Sequence, residues 1–343
     1  MRMSELIKSD NKIKTFIKKR ITIRTIQIAL GSLWLIDGIL QFQPQMFTSH
    51  FVSGVITPAA QGQPLFVVGP MHLLAHIFLF HPAIFNAMAA ITQVGLGALI
   101  LIKRTTKLGL IASNGWGLFV WSIGEGYGGI FSGHTILLMG APGAALLYVI
   151  LALAVFPVEN NKKLKPPYWL AFVWASLWIG GAIYQLLPGQ NSVTFVSSMI
   201  AGNAGGQPGW LASLDYHVGS FINHFGTPLA SSSTHMTTAQ MSMMQTSSGS
   251  GYWFILLVAL IELAIGVAIF LPGYYRNLAI FTGVIFSLIF WVIGQSFGGI
   301  FTGLATDPNS GLLFILLGLA ILGCNTLSGD MLKFFKRLEH RIT

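Results

Sequence analysis

From Ile26 to Leu327 the chain alternates long apolar runs with short basic clusters, and few folds are compatible with that alternation. The runs fall near Ile26–Phe42, Ile84–Ile102, Leu108–Gly124, Ala141–Phe156, Trp169–Leu187, Tyr252–Leu271, Leu278–Gly294 and Leu312–Leu327. Several approach the roughly 20 residues that carry a helix across a bilayer. Charged residues make up only 8% of the 343 and hydrophobic ones 53%, whereas soluble domains are about 25% charged. The expectation is an all-α integral membrane protein whose main partner is the lipid bilayer.

The formal net charge of +9 would suit a nucleic-acid partner if it were spread over one face. Instead the Lys and Arg residues fall in five places: Arg2 to Arg24, Lys103 to Lys107, Lys162 to Lys165, Arg276, and Lys333 to Arg341. Each lies between or beyond apolar runs, the pattern of cytoplasmic loops under the positive-inside rule. Eight spans put both termini inside. The four outward connections, 43–82, 125–140, 188–251 and 295–311, then carry no Lys or Arg. This reading predicts a multi-pass protein of the cell membrane and no nucleic-acid binding. The further run Leu65–Phe80 would reverse the later clusters if it crossed, so it is expected as a re-entrant or surface-lying helix ending at His81-Pro82. Cys324 is the only cysteine, which excludes an intramolecular disulfide and any thiolate zinc cluster.

The chain also repeats itself. SLWLIDGILQ (Ser32–Gln41) matches SLWIGGAIYQ (Ser176–Gln185), and Gly62-Gln63-Pro64 matches Gly206-Gln207-Pro208 at the same offset. Further on, ITQVGLGALI (Ile91–Ile100) matches LIELAIGVAI (Leu260–Ile269), and WSIGEGYGGIFSG (Trp121–Gly133) matches WVIGQSFGGIFTG (Trp291–Gly303). The predicted fold is therefore eight transmembrane helices as two parallel four-helix repeats, with outer re-entrant or surface helices. The expected divisions are a basic cytoplasmic segment (1–24), a first repeat (25–157), a cytoplasmic linker (158–167), a second repeat (168–328) with a flexible outer loop (229–251), and a cytoplasmic tail (329–343). Functional sites are expected between the two repeats.

In the order of its parts, the four-span unit resembles the DoxX family of small membrane proteins. A first span has Gly38 near its outer end. An outer loop, a span of the form ELAIGVAIFL (Glu262–Leu271), a basic inner turn and two further spans follow. The resemblance implies a membrane subunit of a quinone-linked or sulfur- and thiol-linked redox system, with a redox partner subunit. It places Glu262 at the family's acidic position in the second span; Gln93 stands there in the first repeat.

Three carboxylates fall in or beside spans: Asp37, Glu125 and Glu262. A charge in hydrocarbon costs about 2.5 to 3.5 kcal/mol on insertion scales, so each is a candidate for proton handling or for facing a partner. Their matched positions hold Gly181, Gln295 and Gln93, so each acid has a neutral counterpart. Gln295 accepts the geometry of Glu125 without its charge, and an acid kept there can take up a proton or offset a cation. Gly128, Gly129, Gly298 and Gly299 mark a repeated bend that either packs or frames a cofactor pocket.

His72 and His76, and likewise His217 and His224, share helix faces and have the spacing of metal or haem ligands, although interfacial hydrogen bonding explains them as well. His235 with Met241, Met243 and Met244 lies in SSSTHMTTAQMSMMQTSSGSG (Ser231–Gly251). Thioethers there suit Cu(I), although the stretch also reads as a low-complexity linker. Three functions are open at this point: a redox subunit holding a quinone, a transporter or copper-handling permease, and a membrane scaffold.

Overall fold

The computed structural model describes residues 22–156, 169–224, 250–271 and 273–322, and every regular element among them is helical. The longer helices are α1 (Ile23–Leu40), α2 (Leu65–Phe80), α3 (Pro82–Leu101), α4 (Thr106–Phe119), α5 (Ala144–Ala154) and α6 (Trp169–Gln185). They continue with α7 (Val193–Gly202), α8 (Gly209–Asn223), α9 (Ser250–Val267), α10 (Gly273–Ile289) and α11 (Ser310–Leu322). The segments Ile23–Leu40, Pro82–Leu101, Tyr252–Phe270 and Gly273–Gly294 are long and apolar enough to cross a membrane. Large side chains such as Leu65, Ile91 and Trp253 stand exposed on the surface, which is stable when the surrounding solvent is hydrocarbon.

The runs expected over Leu108–Gly124, Ala141–Phe156, Trp169–Leu187 and Leu312–Leu327 overlap helices of 14, 11, 17 and 13 residues. Two of them are shortened for a local reason. After Phe119, α4 widens into a π turn over Val120–Gly124. Before α5, Ala141-Pro142 and Gly143 (φ +101°) leave helical geometry, so that helix begins only at Ala144. The expected break at His81-Pro82 is present: His81 has φ −146° and ψ 71°, and Pro82 opens α3. Most of the basic amino-terminal segment, the linker 158–167 and the tail 329–343 lie outside the described residues, as does nearly all of the loop 229–251.

Helices approach one another at small residues, as expected where apolar lipid gives no hydrophobic drive to association. On α1, a Cβ at Gly38 would meet the Val94 backbone nitrogen of α3 at 2.7 Å. A Cβ at Gly266 of α9 would lie 3.1 Å from the Ala175 carbonyl oxygen of α6. Trp34, Tyr148, Trp174, Trp178, Phe290 and Phe314 belong to one buried cluster drawn from both ends of the sequence. Within it, Trp34 donates from Nε1 to the Ser113 hydroxyl at 2.8 Å.

Candidate functional site

Two π turns set the geometry of the repeated motif. The amide of Glu125 donates to the Val120 carbonyl and that of Gln295 to the Phe290 carbonyl, each at 2.8 Å. Trp121 donates from Nε1 to the Pro142 carbonyl at 2.8 Å, and Trp291 to the Pro308 carbonyl at 2.7 Å. Beyond each turn the chain bends through glycines of positive φ, Gly128 (+62°) and Gly298 (+72°). Their Cα atoms lie against the backbone of Pro142 and of Asp307-Pro308 respectively. Packing accounts for these two glycines, although both also border a surface chamber. Gly129 and Gly299 share the bend, with Thr135 and Thr302 respectively beside them.

The two matched polar residues behave differently. Gln295 accepts from the Gly311 amide at 2.9 Å and donates to the Ser310 hydroxyl at 3.2 Å, so both ends of its side chain are tied to the protein. Glu125 accepts from the Ala145 amide at 3.1 Å through Oε1. Its Oε2 is buried and has no hydrogen-bond partner among the described residues.

Glu125 lines a cavity of about 360 Å³ enclosed by α1, α2, α3, α4 and α5, while its Oε2 lies beside Gly143, which borders a second chamber. The volume is in the range of small-molecule sites. Its walls are mostly apolar and aromatic, and Asp37, Gln41, Gln93, Glu125, Tyr148 and Asp307 supply most of their polar groups. Asp37 is 1% exposed, and its Oδ1 has no hydrogen-bond partner among the described residues; the same holds for Oε1 of buried Gln41 and Gln93. The Tyr148 hydroxyl stands beside the Asp37 carboxyl. Ile77, Met88 and Phe119 line the cavity and are also exposed on the apolar surface, so the cavity has a mouth on that surface.

Asp307 is the member of this group that sequence reasoning missed. It comes from the loop before α11, where its carboxylate accepts from the Asn309 amide at 2.7 Å and the Thr306 hydroxyl at 2.8 Å. Its TDPN turn (Thr306–Asn309) lies outside every apolar run. The available signal was that Asp307 is the one acid in the connection 295–311. A second, more polar chamber of about 380 Å³ lies alongside, bordered by Thr135, Asn309 and several glycines. The two chambers share Gly124, Glu125, Ala144, Thr306 and Asp307. Burial, and then the neighbouring Asp307 carboxyl, push the Glu125 carboxyl above the ordinary range; the Ala145 and Ala144 amides pull it partly back. Burial likewise raises Asp307.

The remaining candidates are dispersed. Glu262 is fully buried in α9, lines neither chamber, and has no partner for either carboxylate oxygen among the described residues. It lies beside Gly181, where a Cβ would be 3.4 Å from Oε2. Leu137 fills the rest of that space, which explains why an acid at the Gly181 position would not fit. Replacing Glu262 by Met keeps the volume and removes an unpaired polar group, and should stabilise the protein by about 1 to 3 kcal/mol. A rise in melting temperature in detergent would confirm this, and a fall would mean that the carboxyl has a partner.

His72 and His76 are exposed on α2, with His76 edge-on to Phe80 at 5.0 Å. His217 and His224 each hold a backbone carbonyl one turn earlier, that of Ser213 at 2.6 Å and that of Ser220 at 2.7 Å. No cluster of three or more His, Cys, Asp or Glu suited to a metal occurs among the described residues. His235, Met241, Met243 and Met244 lie outside them. No protein-family model, curated protein or solved structure matches the chain.

Proposed function

We propose that the chain is a DoxX-like membrane subunit of a redox system, built as two parallel four-span repeats with both termini in the cytoplasm, and that it takes a quinol from the bilayer into the chamber at Asp37 and Glu125. The observation that carries this reading is the junction of the two chambers at Glu125 and Asp307, one opening on an apolar surface and the other polar. A lipid-dissolved quinol could enter beside Met88 and donate its hydroxyl protons to the carboxyl groups of Asp37 and Glu125, both of which line the chamber. Glu125 and Asp307 would pass the protons to the outer side, while the electrons leave to a partner redox subunit.

The duplication is supported by contacts that recur with matched residues. Gln63 donates to the Gly126 carbonyl at 2.7 Å and Gln207 to the Ser296 carbonyl at 3.4 Å. Where a Cβ on Gly126 would meet Met71 Sδ at 2.8 Å, Ser296 donates to Asp215 at 2.8 Å. Apolar contact in one half is replaced by a hydrogen bond in the other, with the same backbone on either side.

Organic extracts of the purified protein should contain a benzoquinone or naphthoquinone in near-stoichiometric amount, and Glu125→Gln should lower that amount at least tenfold. Extracts free of quinone, together with failure of an added short-chain quinol to bind saturably, would sink the redox reading.

A further inference from the structure

The cavity combines acidic groups and aromatic walls, a pairing that also suits a cation. Three carboxyl groups face it from separate elements: Asp37 from α1, Glu125 from the end of α4 and Asp307 from the loop before α11. Tyr148 of α5 is the other titratable group in its wall, and no Lys, Arg or His lines it among the described residues. Asp37, Gln41 and Gln93 are each more than nine-tenths buried and each presents an acceptor oxygen with no partner among those residues. Around these acceptors stand aromatic rings, including Trp34, Phe51, Phe78, Trp116 and Phe119. Ring faces attract a cation, and most strongly once it is desolvated. The mouth at Ile77, Met88 and Phe119 is apolar, so on that side the chamber suits a species that dissolves in the bilayer.

We propose that this chamber takes lipophilic monocations, aromatic ammonium or phosphonium amphiphiles, which enter from the bilayer and sit between its aromatic walls and its three carboxyl groups. The proposal rests on the reading that the chamber is a ligand site, and is independent of the redox chemistry assigned to it above. Without a ligand, burial keeps Glu125 and Asp307 above the ordinary carboxyl range, and the Asp307 carboxyl raises Glu125 further, so their neutral forms are favoured. A bound cation favours the ionised form, so binding displaces a proton, and protons compete with the cation. The resulting exchange needs no third component: one cation enters the chamber and one proton leaves through the polar chamber shared at Glu125 and Asp307.

Tetraphenylphosphonium is a suitable probe, measured by equilibrium dialysis against the full chain in lipid nanodiscs. Saturable binding is expected, tightening by up to about tenfold per pH unit as the pH rises through neutral and levelling off once the acids are ionised. Proton release should accompany it in weakly buffered solution. Glu125→Gln combined with Asp307→Asn should weaken binding at least tenfold and flatten the pH profile; Glu125→Gln alone, which copies the residue at position 295, covers the case in which the double variant loses its fold. Binding that is independent of pH and equal in these variants would overturn the proposal. So would an absence of saturable binding. If a short-chain quinol still binds while the phosphonium does not, this inference alone falls; if neither binds, the chamber is not a ligand site and the redox reading falls as well.

Discussion

Gly128→Ala should destabilise the protein by about 4 kcal/mol, at the upper end for a single substitution. At φ +62° the added methyl group would already be strained, and it would run into the Pro142 carbonyl oxygen and stand 2.5 Å from the Gly143 nitrogen. Both neighbours are backbone, so no side chain can rotate away. They are also held in place: Trp121 binds the same Pro142 carbonyl, and Glu125 binds the Ala145 amide just beyond. Any relief must therefore move the start of α5 and, with it, the floor of the chamber. The control is Gly115→Ala on the exposed side of α4, where no atom lies within 4 Å of the new methyl. That substitution should stabilise by up to about 1 kcal/mol, because Ala favours a helix. Thermal unfolding in detergent would compare the two. Equal melting temperatures would mean that the bend at Gly128 is not held as described.

Ala89→Trp should abolish ligand uptake without unfolding the protein. Ala89 lines the apolar chamber on α3 next to Met88 at its mouth, so an indole there would occupy the space a ligand needs. Quinone content or phosphonium affinity should fall at least about a hundredfold, the equivalent of roughly 2.8 kcal/mol. The melting temperature should hold or rise, because filling a void adds contacts. This variant leaves every carboxyl group unchanged, so it separates loss of space from loss of charge. Undiminished uptake by a well-folded Ala89→Trp protein would move the site out of this chamber.

Much of this could be seen before any coordinates. Run length and the low charge content dictate apolar helices, because nothing else in the chain could offset so much exposed hydrocarbon in water. The repeated motif announced matched bends, and the Glu125/Gln295 pair stood out because the two residues differ in charge and hardly in shape. Asp37 was legible for the same reason, as a carboxyl within an apolar run. Glu262 was equally legible, but the sequence cannot say whether a buried acid faces a cavity or a packed neighbour such as the Gly181 backbone.

What only the tertiary structure decided is which of these residues meet. Asp307 is separated from Glu125 by more of the chain than any local pattern can span, and it reaches the same chamber wall only because the loop before α11 folds across the end of α4. The orphan acceptors are another product of folding: an oxygen lacks a partner only when every neighbour is known, and those neighbours come from separate helices. Hydrophobic periodicity acts locally and sets helix and membrane affinity. The cavity depends on packing among five helices, where a glycine at one crossing and a proline carbonyl at another decide whether space is filled or left open.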